Sequence, residues 1–178
     1  VILSGASGTG KSTLCKLLYR YYEPELGSIK INNIDIKNLK LSSLRENISY
    51  TSQDATLFNG TVLENIAGPG KPDIDKLNRV IKICLLEKLI DKLPKHLETN
   101  LKDNSNNISG GETERIILAR SLYNLKSIMI LDEALSQVDI KTEKLIIKNI
   151  KNNYPACTLI YITHKDVKEI FKNEISLS

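Results

Sequence analysis

The sequence has few of the residues that aromatic binding surfaces and covalent cross-links require. It contains no tryptophan, two phenylalanines and one methionine, and aromatic residues make up 5% of its 178 positions. Its three cysteines are far apart and show no C-x-x-C spacing, which argues against a disulfide framework and against a zinc site. We expect the three to be small buried residues in a reducing cytosol: Cys15, Cys84 and Cys157.

Long apolar runs and blocks of like charge are also absent. No segment approaches the roughly 18 apolar residues that a membrane-spanning helix needs, and we find no signal peptide. The net charge of +4 comes from scattered lysines, which favours solvated faces over a nucleic-acid surface. Length and a hydrophobic fraction of 41% suit one globular domain. Because the sequence opens at Val1 within an apolar run, we expect it to be a piece of a longer protein.

The most informative stretch is Gly-Ala-Ser-Gly-Thr-Gly-Lys-Ser-Thr at residues 5–13, which fits the pattern G-x-x-x-x-G-K-[ST]. Glycines let consecutive N–H groups curl around phosphate oxygens, and the N-terminus of a following helix adds its positive dipole. In this pattern Lys11 reaches the β- and γ-phosphates and the Ser12 hydroxyl binds Mg²⁺. An apolar run precedes the stretch and a helical pattern follows, as the motif requires. The predicted nucleotide-binding residues here are Gly5, Ser7, Gly8, Gly10, Lys11, Ser12 and Thr13.

The rest of the chain alternates strand and helix patterns, which predicts an α/β fold with a mainly parallel sheet. We predict strands at 1–3, 48–52, 127–131, 158–162 and 175–177, a β-hairpin at 28–36, and helical segments at 14–18, 61–66, 111–124, 141–152 and 167–172 and from residue 73. Thr61 is a candidate cap, and Leu77, Val80, Ile81, Cys84 and Leu85 form a predicted core-facing stripe.

Polar residues follow two buried strands at the edge where a parallel sheet places its site. Asp132 and Glu133 end the first of these strands, and His164 follows the second. Beside a phosphate loop, Asp132 can hold Mg²⁺ and Glu133 can act as general base toward the attacking water. His164 is a candidate to bind the γ-phosphate and orient the water, although a lone histidine after a strand is as often structural.

Further motifs give the chain a resemblance to the ATP-binding-cassette (ABC) ATPases, with a P-loop NTPase core. Ile108-Ser109-Gly110-Gly111-Glu112 resembles the L-S-G-G-Q signature of that family, and it opens a helix. Gln53 fits the glutamine that contacts Mg²⁺ and water, Asp139 fits the aspartate of the S-A-L-D loop, and His164 fits the switch histidine. The resemblance therefore implies that Gln53 is both a catalytic and a metal-binding residue, and that Ser109, Gly110, Gly111 and Asp139 contact nucleotide.

The segment after Gln53, Leu57-Phe58-Asn59-Gly60-Thr61-Val62 with Glu64-Asn65-Ile66, also resembles exporter-type cassettes, in which it faces the membrane domain. The sequence as a whole is similar to bacterial peptide and bacteriocin exporters. The cross-contact loop before the signature departs from the family, because Asp103 and Ser105 replace glutamate and glycine. Glu112 replaces a glutamine, and we expect its carboxylate to lie on the helix side away from phosphate. The adenine-stacking aromatic residue of the family lies upstream of the phosphate loop, which places it before Val1.

The resemblance implies an ATPase that binds ATP and Mg²⁺, dimerises head to tail with a second such domain, and drives export across a membrane, with peptides as the expected substrate. It would act at the cytoplasmic face of the cell membrane with a fused or separate transmembrane domain. We expect a core at about 1–53 and 126–178 and a helical subdomain at about 54–125. One alternative is a chromosome-maintenance or DNA-repair ABC ATPase, which the lack of heptads between Lys11 and Ser109 disfavours. Another is a non-hydrolysing regulatory cassette, against which Glu133 and His164 argue.

Overall fold

The fold is an α/β structure of one mainly parallel sheet with helices on both faces. The computed structural model describes residues 1–101 and 108–177. The strands are β1 (Ile2–Ser4), β2 (Lys30–Ile31), β3 (Ile34–Asp35), β4 (Ile48–Thr51), β5 (Ile128–Asp132), β6 (Thr158–Ile162) and β7 (Glu174–Ser176). The α-helices are α1 (Lys11–Leu18), α2 (Leu41–Glu46), α3 (Val62–Ala67), α4 (Ile74–Ile83), α5 (Glu87–Lys92), α6 (Gly110–Tyr123) and α7 (Ile140–Asn153). Short 3₁₀ turns occur at Ile36–Asn38, His96–Glu98 and Lys168–Ile170.

Five parallel strands form the main sheet in the order β4-β5-β6-β1-β7. Thr51 pairs with Leu131, and Asp132 pairs with Ile162, so β4, β5 and β6 end side by side. β1 lies next to β6, and the loop that follows Ser4 therefore leaves the sheet at the same edge. This topology brings the phosphate loop and the polar strand ends to one edge, as the sequence predicts.

Local sequence accounts for several of the smaller elements. β2 and β3 form the predicted antiparallel hairpin, and both turn residues, Asn32 and Asn33, have positive φ angles, 50° and 65°. Asparagine tolerates this left-handed conformation, which a tight hairpin turn requires. Thr61 caps α3 as predicted, because its side chain accepts from the N–H of Glu64 while the Glu64 carboxylate accepts from the N–H of Thr61.

The two faces of the sheet pack against different helices. Met129 and Leu131 point into a large core that is shared with α3, α4, α6 and α7. Ile130, between them, points to the other face, where it packs with Cys15 of α1 and Leu44 of α2. In the predicted stripe of α4 four of the five residues are buried and the fifth, Leu85, is partly exposed.

Two further expectations concern the burial of the cysteines and the presence of helices that could span a membrane. Cys15 and Cys84 are buried, but the expectation was wrong for Cys157, which is half-buried with its thiol directed at the carbonyl of Lys126. It lies just before β6, where it lines a surface cavity with Lys126 and Tyr154. None of the helices within residues 1–101 and 108–177 combines the length and the apolarity that crossing a bilayer requires.

Candidate ATP-binding site

The phosphate loop joins β1 to α1 and carries its lysine inward. Gly10 precedes the helix with a φ of 88°, a left-handed angle that glycine adopts without strain. Lys11 begins α1 and is only 5% exposed. Its Nζ donates to the carbonyl oxygens of Gly5 at 2.9 Å and Ala6 at 2.7 Å. The lysine charge is therefore fixed at the inner side of the loop, where it can meet a bound phosphate.

Asp132 links the phosphate loop to the end of β5. Its carboxylate is 3% exposed and accepts two hydrogen bonds, one per oxygen. The Ser12 hydroxyl donates to Oδ1 at 2.9 Å, and the Tyr50 hydroxyl donates to Oδ2 at 2.9 Å. A buried carboxylate beside a hydroxyl is the hard-oxygen donor set that Mg²⁺ prefers. These two residues, Asp132 and Ser12, fit a magnesium ion that also binds nucleotide phosphates.

Sequence reasoning did not identify Tyr50 as part of this site. The residue lies on β4 opposite Ile130, two positions before Asp132, and this relation depends on a strand register that the sequence does not reveal. Burial, and then the negative charge of Asp132, raise the pKa of the Tyr50 phenol. The phenol is therefore neutral at physiological pH and acts as a hydrogen-bond donor to the carboxylate.

Glu133 and His164 are brought together at the edge of the sheet. His164 Nε2 lies 3.0 Å from Glu133 Oε1, with the histidine side chain 50% exposed and the glutamate side chain 18% exposed. Glu133 has a φ of 52°, which is uncommon for a residue other than glycine. Its backbone N–H donates to the carbonyl of Ile162 at 3.0 Å, and this bond ties the strained residue to β6. The result is a carboxylate and an imidazole that face one another next to Asp132.

The signature segment begins α6 through a reciprocal cap. Ser109 precedes the helix, and its hydroxyl accepts from the N–H of Glu112. The Glu112 carboxylate in turn accepts from the N–H of Ser109 at 2.9 Å and from its hydroxyl at 2.8 Å. Burial opposes ionisation, but these hydrogen bonds and the charges of Arg115 and Lys92 lower the pKa of Glu112. The capping box therefore draws the Glu112 carboxylate back onto Ser109, and its side relative to a bound phosphate stays a prediction.

The two glycines of the signature lie against the segment that follows β5. A Cβ atom added to Gly110 would lie 1.8 Å from the side-chain oxygen of Gln137, and one added to Gly111 would lie 2.9 Å from the backbone oxygen of Gln137. Glu114, on the next turn of α6, accepts from the N–H of Gln137 at 2.9 Å and from the hydroxyl of Ser136 at 2.8 Å. Close approach of the Gln137 side chain at Gly110 and of the backbone at Gly111 therefore explains why small residues occupy the start of this helix.

The cavity beside Ser109 is separate from the phosphate loop in the part of the chain that the structure describes. Ser109, Gly110, Gly111 and Asp139 line a cavity of about 910 Å³ to which no residue of the phosphate loop contributes. Asp139 caps α7 by accepting from the N–H groups of Lys141 and Thr142. Hydrogen bonds from Thr142 are the main cause of its lowered pKa.

Three of the predicted loop residues are exposed, Ser7, Gly8 and Thr13, and each is open to a ligand. Gln53 follows β4 at the same sheet edge as Asp132, and it too is exposed. Within the described ranges its side chain makes no hydrogen bond, so the structure does not bring it onto Asp132 or Glu133. Asp103 and Ser105 of the predicted cross-contact loop lie outside the described residues.

Comparisons with known proteins agree with this geometry. The family model described as ABC transporter matches residues 1–136. The chain is 40% identical over 168 residues to ABC transporter B family member 29, chloroplastic, of Arabidopsis thaliana, covering 93% of this chain and 26% of the relative. It is 40% identical over 167 residues to the ATP-dependent lipid A-core flippase of Coxiella burnetii, covering 93% and 28%. It is 39% identical over 165 residues to the mitochondrial iron–sulfur clusters transporter ATM1 of Saccharomyces cerevisiae, covering 90% and 24%.

A solved structure also matches the fold closely. A bacterial Atm1-family ABC exporter with ATP bound superposes with a TM-score of 0.90 at 31% identity, covering 99% of this chain and 32% of the exporter chain. The chain thus spans about a quarter to a third of the proteins that it resembles. With a family model that covers most of its length, the chain belongs to the ABC transporter family, as an ATPase domain of the exporter type.

Proposed function

We propose that this chain binds MgATP at the edge of its sheet and hydrolyses it to drive export across a membrane. The observation that carries the proposal is the pair formed by Glu133 and His164, 3.0 Å apart, beside an Asp132 carboxylate that accepts from Ser12. A carboxylate and an imidazole at this position are suited to move a proton and orient a water. Family membership supports the same reading, because the named relatives include an ATP-dependent flippase.

The residues divide the chemistry between binding and proton transfer. The loop N–H groups, with Ser7, Gly8 and Thr13, hold the phosphates, and Lys11 turns its ammonium from the loop carbonyls to the phosphate oxygens. Ser12 and Asp132, with Gln53 drawn in from the end of β4, would hold Mg²⁺, which supplies charge neutralisation on the phosphates. Glu133 accepts the proton of the attacking water. His164 holds the Glu133 carboxylate in place and donates toward the γ-phosphate.

A second copy of the domain completes the site. Ser109, Gly110, Gly111 and Asp139 line a cavity separate from the phosphate loop, which supports a head-to-tail dimer in which each signature segment closes on the nucleotide held by the partner. The N–H groups at the start of α6 would supply donors to the γ-phosphate. In this arrangement residues at about 54–125 act as the helical subdomain, and the core lies at about 1–53 and 126–178. We expect a homodimer.

The membrane partner is a transmembrane domain, fused or separate, on whose cytoplasmic face this domain works. The ABC exporter with ATP bound, whose fold this chain shares, supports that assembly. For the cargo we propose a peptide, on the similarity of the sequence as a whole to bacterial peptide and bacteriocin exporters. Two of the relatives are named for lipid A-core and for iron–sulfur clusters, so transport assays with the full-length protein must compare all three cargo classes.

Substitution Glu133→Gln tests the proposed hydrolysis. The amide keeps the shape and the contact with His164 but accepts no proton, so kcat should fall about 10²–10⁴-fold. ATP binding should survive, and an ATP-bound dimer should accumulate, as measured by calorimetry and size-exclusion chromatography. Asp54→Asn, at an exposed carboxylate near the same edge, is the matched control and should leave kcat unchanged. Hydrolysis by Glu133→Gln at the parent rate would refute the assignment.

A further inference from the structure

A buried ion pair lies directly behind the proposed catalytic residues. Among the described residues, the buried charged side chains are those of Lys11, Asp132 and Glu143, and the first two belong to the nucleotide site. Glu143, on α7, is 0% exposed. Burying a carboxylate in a protein interior is costly unless it is paired and hydrogen-bonded. This carboxylate therefore needs partners, and the structure supplies three of them.

The partners of Glu143 come from the end of β6 and the residues that follow. The Tyr161 hydroxyl donates to Oε1 at 2.5 Å, and the Thr163 hydroxyl donates to the same oxygen at 3.1 Å. Lys165 Nζ lies 2.9 Å from Oε2. The pKa of Tyr161 is raised, chiefly by burial and then by the charge of Glu143, so its hydroxyl remains a donor. Glu143 thus fixes the position of Lys165, the residue immediately after His164.

Lys165 also holds the segment that follows Glu133. Its Nζ donates to the carbonyl oxygen of Leu135 at 2.6 Å and to that of Val138. An ammonium group has three N–H donors, of which two are given to the carbonyls of Leu135 and Val138. With Glu143 Oε2 the ammonium forms an ion pair, and no aligned hydrogen bond from a described residue reaches this buried oxygen. The 134–138 segment is therefore anchored to the residue next to His164.

The contacts of Lys165 with the 134–138 segment matter because Glu133 is strained and few hydrogen bonds hold it in place. Its φ of 52° persists only where surrounding contacts hold it. Its N–H is bonded to β6, its carbonyl accepts from the N–H of Ser136, and its side chain contacts His164. The chain that leaves it is held by Lys165 on one side and by Glu114 on the other.

If the Lys165 contact is removed, the Val138 carbonyl loses this donor and the Leu135 carbonyl keeps the N–H of Val138. Among the described residues, the segment is then held from outside only by Glu114, through Ser136 and Gln137, and its end nearest His164 can relax. Glu133 and His164 would then no longer face the same point.

We propose that Lys165 is a positioning residue for ATP hydrolysis, whose ammonium clamps the 134–138 segment so that Glu133 is held in register with His164. The proposal rests on the proposed role of Glu133 in hydrolysis. Lys165 does not touch the nucleotide in this scheme; it acts through the backbone. Its loss should therefore lower kcat and leave the affinity for ATP and the KM unchanged.

The test uses paired substitutions, because Lys165→Met alone strands a buried carboxylate and is expected to destabilise the fold. In the double variant Lys165→Met/Glu143→Gln both charges are gone, and the amide oxygen still accepts from Tyr161 and Thr163. We expect this variant to unfold near the parent temperature and to bind ATP like the parent. Its kcat should nevertheless fall about 10–100-fold, as expected for misplaced catalytic groups. Lys165→Arg, which keeps the charge and donors, should recover most of the rate.

Two controls separate positioning from general stability. Lys144→Met removes an ion pair of the same helix, the 2.6 Å contact with Glu169, and should leave kcat unchanged. The second control adds Glu133→Gln to the double variant. If Lys165 acts through Glu133, the further loss caused by the double variant should largely disappear in this background.

Each outcome has a distinct meaning. A folded double variant with the kcat of the parent would overturn the proposal, while a slow Glu133→Gln in the same series would leave the proposed function standing. A double variant that is slow only in proportion to its unfolded fraction would also overturn it. Full hydrolysis by Glu133→Gln would refute both the proposed function and the positioning role.

Discussion

The hydrogen bond from Tyr50 to Asp132 leads to the sharpest prediction about the magnesium site. Tyr50→Phe removes one hydroxyl and keeps the ring, which packs against Tyr19 with a centroid distance of 5.6 Å. The substitution leaves Oδ2 of Asp132 without its donor at 2.9 Å, in a residue that is 3% exposed. A hydrogen bond to a charged group contributes about 1.5–3 kcal/mol. We therefore expect the free energy of unfolding of the ligand-free protein to fall by that amount.

The effect on magnesium follows from the same bond. A partner that orients a metal-binding carboxylate typically contributes a factor of about 10–100 to metal affinity. The free Mg²⁺ concentration that gives half-maximal hydrolysis should rise by that factor in Tyr50→Phe. ATP binding in the presence of EDTA should not change, because Lys11 and the loop N–H groups are untouched. The assays are urea unfolding, Mg²⁺ titration of hydrolysis at fixed ATP, and calorimetry in EDTA.

Tyr21→Phe is the matched control for this experiment. Tyr21 belongs to the same aromatic cluster, with its ring 6.2 Å from that of Tyr50, but it is 54% exposed and its hydroxyl does not bond Asp132. It should behave like the parent in all three assays. An unchanged or a lower magnesium requirement in Tyr50→Phe would refute the reasoning, since the hydroxyl would then be irrelevant to the metal or would compete with it for Oδ2.

Three further predictions concern the signature side of the site. Mixing Lys11→Ala and Ser109→Arg subunits, each inactive alone, should restore about a quarter of the hydrolysis rate, because half the dimers are mixed and keep one of two sites; no recovery after proven subunit exchange would contradict the split site. Gly111→Ala should lower the free energy of unfolding by about 1–3 kcal/mol in urea, since its Cβ would meet a backbone oxygen at 2.9 Å. Gly110→Ala need displace only an exposed side-chain end, and it should lower the free energy of unfolding by less. Because the pKa of Glu112 is lowered from 4.5, the stabilisation that its carboxylate provides is present above that pH and is lost as the pH falls through the lowered value. The urea midpoint of the parent should therefore fall more than that of Glu112→Gln between pH 6 and pH 3. An equal fall in both proteins would show that the carboxylate contributes nothing.

The sequence predicts those parts of the fold and site that depend on neighbouring residues. The phosphate loop, the hairpin turn at Asn32-Asn33 and the cap at Thr61 each follow from the conformational preferences of a few adjacent residues. The strand that ends in Asp132 is recognisable because a buried parallel strand is a continuous apolar run. Such features need no knowledge of which strands are neighbours, and all of them are present in the structure.

Contacts between distant parts of the chain could not be predicted in the same way. Tyr50 reaches Asp132 only because β4 pairs with β5 in one register, and Lys165 reaches Glu143 only because α7 packs over the end of β6. Glu112 shows a different limit. Ser109 and Glu112 have the spacing of a capping box, which is a local pattern, but the resemblance to the family signature relates Glu112 to phosphate and not to the helix N-terminus.

The segment between Glu133 and Asp139 receives contacts from both sides of the proposed split site. On the signature side, Glu114 of α6 accepts from the Gln137 N–H at 2.9 Å. On the hydrolytic side, Lys165 donates to the Leu135 carbonyl at 2.6 Å, next to His164. A displacement of α6 would therefore act, through the Glu114 carboxylate, on the backbone at Gln137, four residues after Glu133. In the proposed dimer, closure of the partner's nucleotide on Ser109 and alignment of Glu133 would both depend on this short segment, which would connect binding of the partner's nucleotide with hydrolysis in this chain.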